Sequence, residues 1–198
     1  MSKNYTRAFT LVELLVSLSI VGVIMTTVLY GYSSFNDNLA LTSAGQEMAI
    51  AVRKTQTYGL TVKEVTPGGG QFSFAYGIYF NQGSDPNNYY IFADINSNNK
   101  YDAGNGCGSG STECIQKFPL RNNVKISQVC NESACPPSGA TTESVLFLRP
   151  NPDAGIYFTN SVGVIVAGPS VTGKVILSSA QNKTLTITIE STGQVSVQ

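Results

Sequence analysis

One carboxylate, Glu13, stands at the mouth of an apolar stretch that carries no other charge until Asp37. Leu11 to Phe35 would make about 37 Å of helix at ~1.5 Å per residue, against a bilayer hydrocarbon core of ~30 Å. A chain with such a segment has to divide its fold between two surroundings. The segment calls for lipid or other apolar helices, and the remainder must fold in water. A charge inside an apolar setting is costly and marks function where it occurs, so Glu13 requires a partner. Lys3 and Arg7 precede the run and favour an N-terminus on the cytoplasmic side, with the rest outside. A secretory signal peptide fits poorly. No Ala follows Ala8 until Ala40, so the run ends without an A-x-A site, and it exceeds a typical apolar h-region of ~7–15 residues. A plain single-pass anchor is the bland alternative.

The stretch Ala8-Phe9-Thr10-Leu11-Val12-Glu13 behind a short basic leader resembles the type IV prepilin signature. That resemblance implies a subunit of a type IV pilus or of a secretion pseudopilus. It implies cleavage between Ala8 and Phe9 by a prepilin peptidase that also methylates the new N-terminus. Glu13 then takes the role of the family's glutamate, fifth in the trimmed chain. Cleavage creates a positive α-amine on Phe9, and in a filament core that amine and a neighbour's Glu13 neutralise each other. Gly22 lies where many members place a helix-softening glycine, Tyr30 where they often have Pro, and Ala8 where Gly is commoner. The partners implied are other pilin or pseudopilin subunits in a helical filament, the peptidase/methyltransferase, an inner-membrane assembly platform and membrane lipid. The implied location is the inner membrane, spanned once, with the globular part periplasmic or extracellular.

Beyond the apolar run, Leu39, Leu41, Ala44, Met48, Ala51 and Val52 recur at helical spacing, with Gln46, Glu47, Arg53 and Lys54 mostly elsewhere. The helix is expected to end near Tyr58-Gly59, with Gly59 as its C-cap. After Pro67-Gly68-Gly69-Gly70 the period changes to two. Strands are expected over 72–80, 89–93, 124–129, 145–148, 155–159, 162–166, 174–177, 185–189 and 194–197. The organisation read from the sequence is a leader at 1–8, a transmembrane and filament-core helix at 9–35, its amphipathic continuation at 36–59 and an exported β-rich domain at 60–198. The fold class is α+β, a long helix packed on two antiparallel sheets, and the closing segment from Leu185 to Val197 reads as a hairpin. That hairpin and the helix with Ala44–Arg53 resemble the H-type minor pseudopilins of type II secretion.

The absence of His removes the usual general base and the commonest metal ligand, and it excludes Ser-His-Asp and Cys-His catalysis. No nucleophile–base pair stands out, and no enzyme is expected. Formal net charge is 0, and loss of residues 1–8 leaves 10 basic against 12 acidic residues. Neither balance makes the basic face of a nucleic-acid binder. Gly168-Pro-Ser-Val-Thr-Gly173-Lys174-Val175 approaches a phosphate-binding loop. It lacks the Ser/Thr that holds Mg²⁺ and runs on into strand-like residues, so a hairpin turn is expected there.

Two features suggest stabilised loops. Asp94, Asn96, Asn98, Lys100 (through its carbonyl) and Asp102 occupy positions 1, 3, 5, 7 and 9 of an EF-hand-like series, with Asn99 at position 6 and Asn105 at position 12. Calcium at ~10⁻⁴–10⁻³ M is the expected ligand, and an Asx-turn loop without metal is the alternative. Four cysteines fall in two close pairs, expected to bond as Cys107–Cys114 and Cys130–Cys135 in an oxidising compartment. Sequence alone permits two other pairings, and a four-thiolate zinc site is disfavoured by the wide first spacing.

Overall fold

The computed structural model describes residues 9–61, 74–104, 106–107 and 112–198. The expected leader with Ala8, the Pro67–Gly70 turn, the start of the first expected strand at Phe72, and Asn105 lie outside these residues. The chain divides into two compact units, Met1–Asn36 and Asp37–Gln198. One helix, α1 (Leu11–Leu60), contributes to both.

Within the first unit, every large apolar side chain described is exposed, from Val21 at 50 % to Tyr30 at 91 %. The polar residues of the run do not spoil it. The hydroxyls of Ser17 and Ser19 donate to the carbonyls of Glu13 and Leu15 four residues back, both at 2.8 Å. Thr26 donates to Val23 and Thr27 to Ile24, also at 2.8 Å. A hydroxyl satisfied by its own helix needs no water, which suits a bilayer.

Within the second unit, the helical residues Ala40, Leu41, Ala44, Met48, Ala51, Val52 and Thr55 are buried. Their spacing places one narrow stripe against the sheets. Leu39, expected in that stripe, is exposed instead, and the smaller Ala40 takes its place. Small residues let the helix axis come close. A Cβ at Gly45 would stand 2.5 Å from Leu185 Cδ2, and one at Gly59 would stand 2.5 Å from the backbone oxygen of Phe147. Gly59 is therefore an inner residue of α1 at a close approach, not the expected cap, and the helix runs on to Leu60.

Ten strands follow: β1 (Ala75–Asn81), β2 (Asn88–Asp94), β3 (Cys114–Pro119), β4 (Lys125–Asn131), β5 (Thr142–Phe147), β6 (Ala154–Thr159), β7 (Ile165–Ser170), β8 (Thr172–Ser178), β9 (Thr184–Glu190) and β10 (Val195–Val197). They form a six-stranded sheet, β3-β2-β1-β5-β6-β7, and a four-stranded sheet, β10-β9-β8-β4. Every pairing is antiparallel. This is the α+β, pilin-like architecture expected from the sequence. Ile78, Phe80, Val145, Phe147, Ile156 and Phe158 of the large sheet, with Ile126, Val129, Val175, Leu177, Ile187 and Ile189 of the small one, share a single core with α1. The closing hairpin is present, with Ile187 and Ile189 buried and Gly193 at φ +83 in its turn.

Three further expectations need correction. Residues 168–174 do not make a hairpin. β7 belongs to the large sheet and β8 to the small one, so the chain crosses between sheets at Val171. The strand expected over 162–166 starts only at Ile165, because Asn160–Gly163 close a turn through Gly163 N–H and the Asn160 carbonyl. Strand β3 was not expected, since Cys114–Pro119 shows an irregular burial pattern at a sheet edge.

Two polar contacts bind the ends of the packed helix. Asp37 Oδ2 accepts the Ser179 hydroxyl at 2.9 Å and the Gln181 N–H at 3.2 Å, in the turn between β8 and β9. Lys54 Nζ donates to Gln116 of β3 at 2.8 Å. The turn after β8 of the small sheet thus meets the helix where its packed half begins, and the large sheet meets it near its end. Gly59→Ala forces Cβ into the Phe147 backbone, which outweighs the better helix propensity of Ala. The urea midpoint should fall by the equivalent of about 1–3 kcal/mol; an unchanged midpoint would refute the close approach.

Candidate functional site

Two places in the chain carry features that packing alone does not require. The first is the start of α1. Thr10 caps it: the Thr10 hydroxyl oxygen accepts the Glu13 N–H at 3.3 Å, and the Thr10 carbonyl accepts the Leu14 N–H at 3.2 Å. Thr10 and Glu13 stand in the T-x-x-E spacing of a capping box, a helix-start signal legible in the sequence itself. The consequence is positional. Glu13 falls in the first helical turn, where the N-terminal end of the helix dipole favours a carboxylate. Phe9 lies just outside the helix and is 77 % exposed. A chain beginning at Phe9 would therefore present an α-amine and a carboxylate about one turn apart, on a helix end otherwise covered by Leu11, Val12, Leu14 and Leu15. All four of these side chains are exposed.

The second place is the loop after β2. Asp94 is 2 % exposed, and its two oxygens accept the backbone N–H groups of Asn98 at 3.0 Å and Asn99 at 2.8 Å. Asn99 has φ +62, the left-handed geometry expected at position 6 of the series. Asn96 and Asn98 donate their side-chain amides to Asp102 Oδ2 at 2.8 and 2.6 Å, and Lys100 Nζ stands 3.4 Å from Asp102 Oδ1. Burial works against ionisation of Asp102, but the two amides and the ammonium outweigh it and hold the carboxyl below its ordinary value. The structure therefore brings Asp94, Asn96, Asn98, Lys100 and Asp102 together.

It also adds Glu113, which the sequence reading missed. Glu113 Oε1 accepts the Ile95 N–H at 3.3 Å and Oε2 accepts the Asp102 N–H at 2.8 Å. Burial, then the charges of Asp102 and Asp94, push its carboxyl upward. Glu113 reaches the loop because its carbonyl accepts the Ala93 N–H at 2.9 Å, beside Cys114, which pairs with Phe92 of β2 and is bonded to Cys107. Nothing in the spacing from 94 to 102 announces a carboxylate that arrives from the next strand. Cys130–Cys135, the other bond, closes the loop after β4. Both pairings are the ones expected. Among the described residues, no three His, Cys, Asp or Glu side chains are placed to hold a metal by themselves.

Tyr101 anchors this loop to the large sheet. Its ring packs 4.8 Å from Tyr79, 5.5 Å from Tyr90 and 5.4 Å from Phe92, centroid to centroid. These three alternate along their strands with the core residues Ile78, Phe80 and Ile91, so the loop covers the face opposite α1. The Tyr90 hydroxyl donates to Asp85, with Lys117 Nζ 3.9 Å from the same carboxylate. Burial and that carboxylate raise the Tyr90 phenol well above its ordinary value. Residues 168–175, the near match to a phosphate loop, lie in strands β7 and β8 with no helix N-terminus behind them. They make no phosphate cradle.

Residues 3–29 match the family model described as the prokaryotic N-terminal methylation motif. No curated protein and no solved structure matches the chain.

Proposed function

We propose that this chain, a type IV pilin-like protein by its methylation motif and one processed by prepilin peptidase, is a minor pseudopilin of a type II secretion pseudopilus. It acts as a structural subunit and not as an enzyme. The observation that carries the reading is the first half of α1: a membrane-length helix whose described large apolar side chains are all exposed, with the hydroxyls of Ser17, Ser19, Thr26 and Thr27 returned to the helix and one carboxylate in its first turn. Before assembly, lipid covers that surface. After assembly, neighbouring copies cover it, and each Glu13 faces the α-amine of a neighbour's Phe9. The closing β9–β10 hairpin beside Gly45 of the helix supports the H-type assignment. Peptidase and filament partners follow from the motif, and the assembly platform and the secreted cargo belong to the proposal.

We also propose that the loop at 94–102 takes calcium. The donors would be Asp94 and Asp102, the amide oxygens of Asn96 and Asn98 and the Lys100 carbonyl, with Glu113 alongside. A divalent cation would offset the mutual repulsion of the three carboxylates, and it must displace the Lys100 ammonium from Asp102.

Two measurements test these readings. Glu13→Ala should leave membrane insertion intact and lower cross-linkable assembly with partner subunits by more than about tenfold, as expected when one member of a desolvated charge pair is removed. Equal assembly of the variant would remove the filament role of Glu13. Millimolar calcium should raise the melting temperature of the full chain, and Asp94→Asn should abolish that rise. No shift at millimolar calcium would exclude the site.

A further inference from the structure

Between the two sheets lies a carboxyl group that neither the filament nor the calcium loop uses. Glu143 occupies a core-facing position of β5, in alternation with Val145 and Phe147, and all three are 0 % exposed. Its neighbours across the strands are Phe80 of β1 and Phe158 of β6. Facing it from the small sheet is Gly173 of β8, where any Cβ would fall on Glu143 Oε1 and come within 3.0 Å of Ile156 Cγ2. The glycine leaves the space that the carboxyl fills. Neither carboxyl oxygen has a hydrogen-bond partner among the described residues.

A charged carboxylate without a partner is untenable in such a setting, whereas a neutral carboxyl costs only its unmade hydrogen bonds. Among the described residues, no charged side chain relieves it. The ionisable groups on the surrounding strands are Tyr76 and Tyr79 (β1), Lys125 (β4), Tyr157 (β6), Lys174 (β8) and Glu190 (β9), with Glu132 exposed after β4. Of the helical residues packed on the sheets, Asp37, Glu47, Arg53, Lys54 and Tyr58 ionise. None of these acts on Glu143: burial alone displaces its carboxyl, raising it to about 8.

We propose that Glu143 is a proton-dependent lock between the two sheets, protonated in the folded domain and able to ionise only when the seam at Gly173 opens. The contact between β5 and β8 tightens in acid and loosens as the pH rises. The sign follows from linkage. The folded carboxyl binds its proton more tightly than the unfolded one. Its full contribution is present below the ordinary carboxyl range and is lost as the pH climbs toward 8.

The test uses the full chain in detergent micelles, with unfolding followed by circular dichroism from pH 5 to 8. Wild type should lose stability across this window, its unfolding constant rising up to about tenfold per pH unit. Glu143→Gln and Glu143→Met, which have nothing to titrate at this position, should lack that slope. Parallel pH profiles for wild type and either variant would overturn the lock. Should neither variant fold, wild type alone decides. Folded protein at pH 7 should show the infrared band of a protonated carboxyl that persists in Glu113→Gln, and its absence would refute the proposal.

Discussion

A helix with no polar face in its first half cannot remain in water, and the rest of the structure is arranged around that constraint. Val12, Leu15, Val21, Ile24 and Leu29 point in all directions around the axis and all are exposed. Ser17, Ser19, Thr26 and Thr27 return their hydroxyls to the helix itself. The surface accepts hydrocarbon or another helix of the same kind. Glu13 is the exception, a single carboxylate near one end, and under the proposed assembly it would set where a neighbour's positive charge sits. A capped helix start holds it in the first turn.

The second half of the same helix solves a different problem. It belongs to a β-domain through small residues, with Gly45 against Leu185 of the small sheet and Gly59 against the backbone of the large one. On the other face of the large sheet, Tyr101 packs on Tyr79, Tyr90 and Phe92, and the acceptor oxygens of Glu113 hold the backbone of Ile95 and Asp102. The same helix can therefore serve two surroundings. In one it offers a continuous apolar surface, and in the other a thin stripe cut to the shape of two sheets.

The sequence revealed what repeats and concealed what depends on distant approach. The apolar run, the helical stripe of Ala44, Met48 and Val52, the paired cysteines and the closing hairpin all follow from local period or spacing. Leu39 misled because periodicity weighs hydrophobicity, while the packed position needed the smaller Ala40. Gly59 resembled a cap because a glycine near a helix end usually is one, and only the position of Phe147 shows its use. The crossing at Val171 could not be told from a hairpin, since short strands joined by Gly and Pro look alike whether they stay in one sheet or change sheets. Glu113 and Glu143 were invisible for the same reason: each takes its meaning from a strand that arrives from elsewhere in the chain. Glu143 in particular reads as an ordinary polar residue in a strand until Gly173 is placed opposite it.

The most direct test of the central claim is the intact mass and N-terminal sequence of the chain co-expressed with an active prepilin peptidase. A protein beginning at N-methylated Phe9 is the predicted result, because only that cut places a positive amine one turn from Glu13. A chain still beginning at Met1 in the presence of active peptidase would contradict the account and leave a plain membrane anchor in its place.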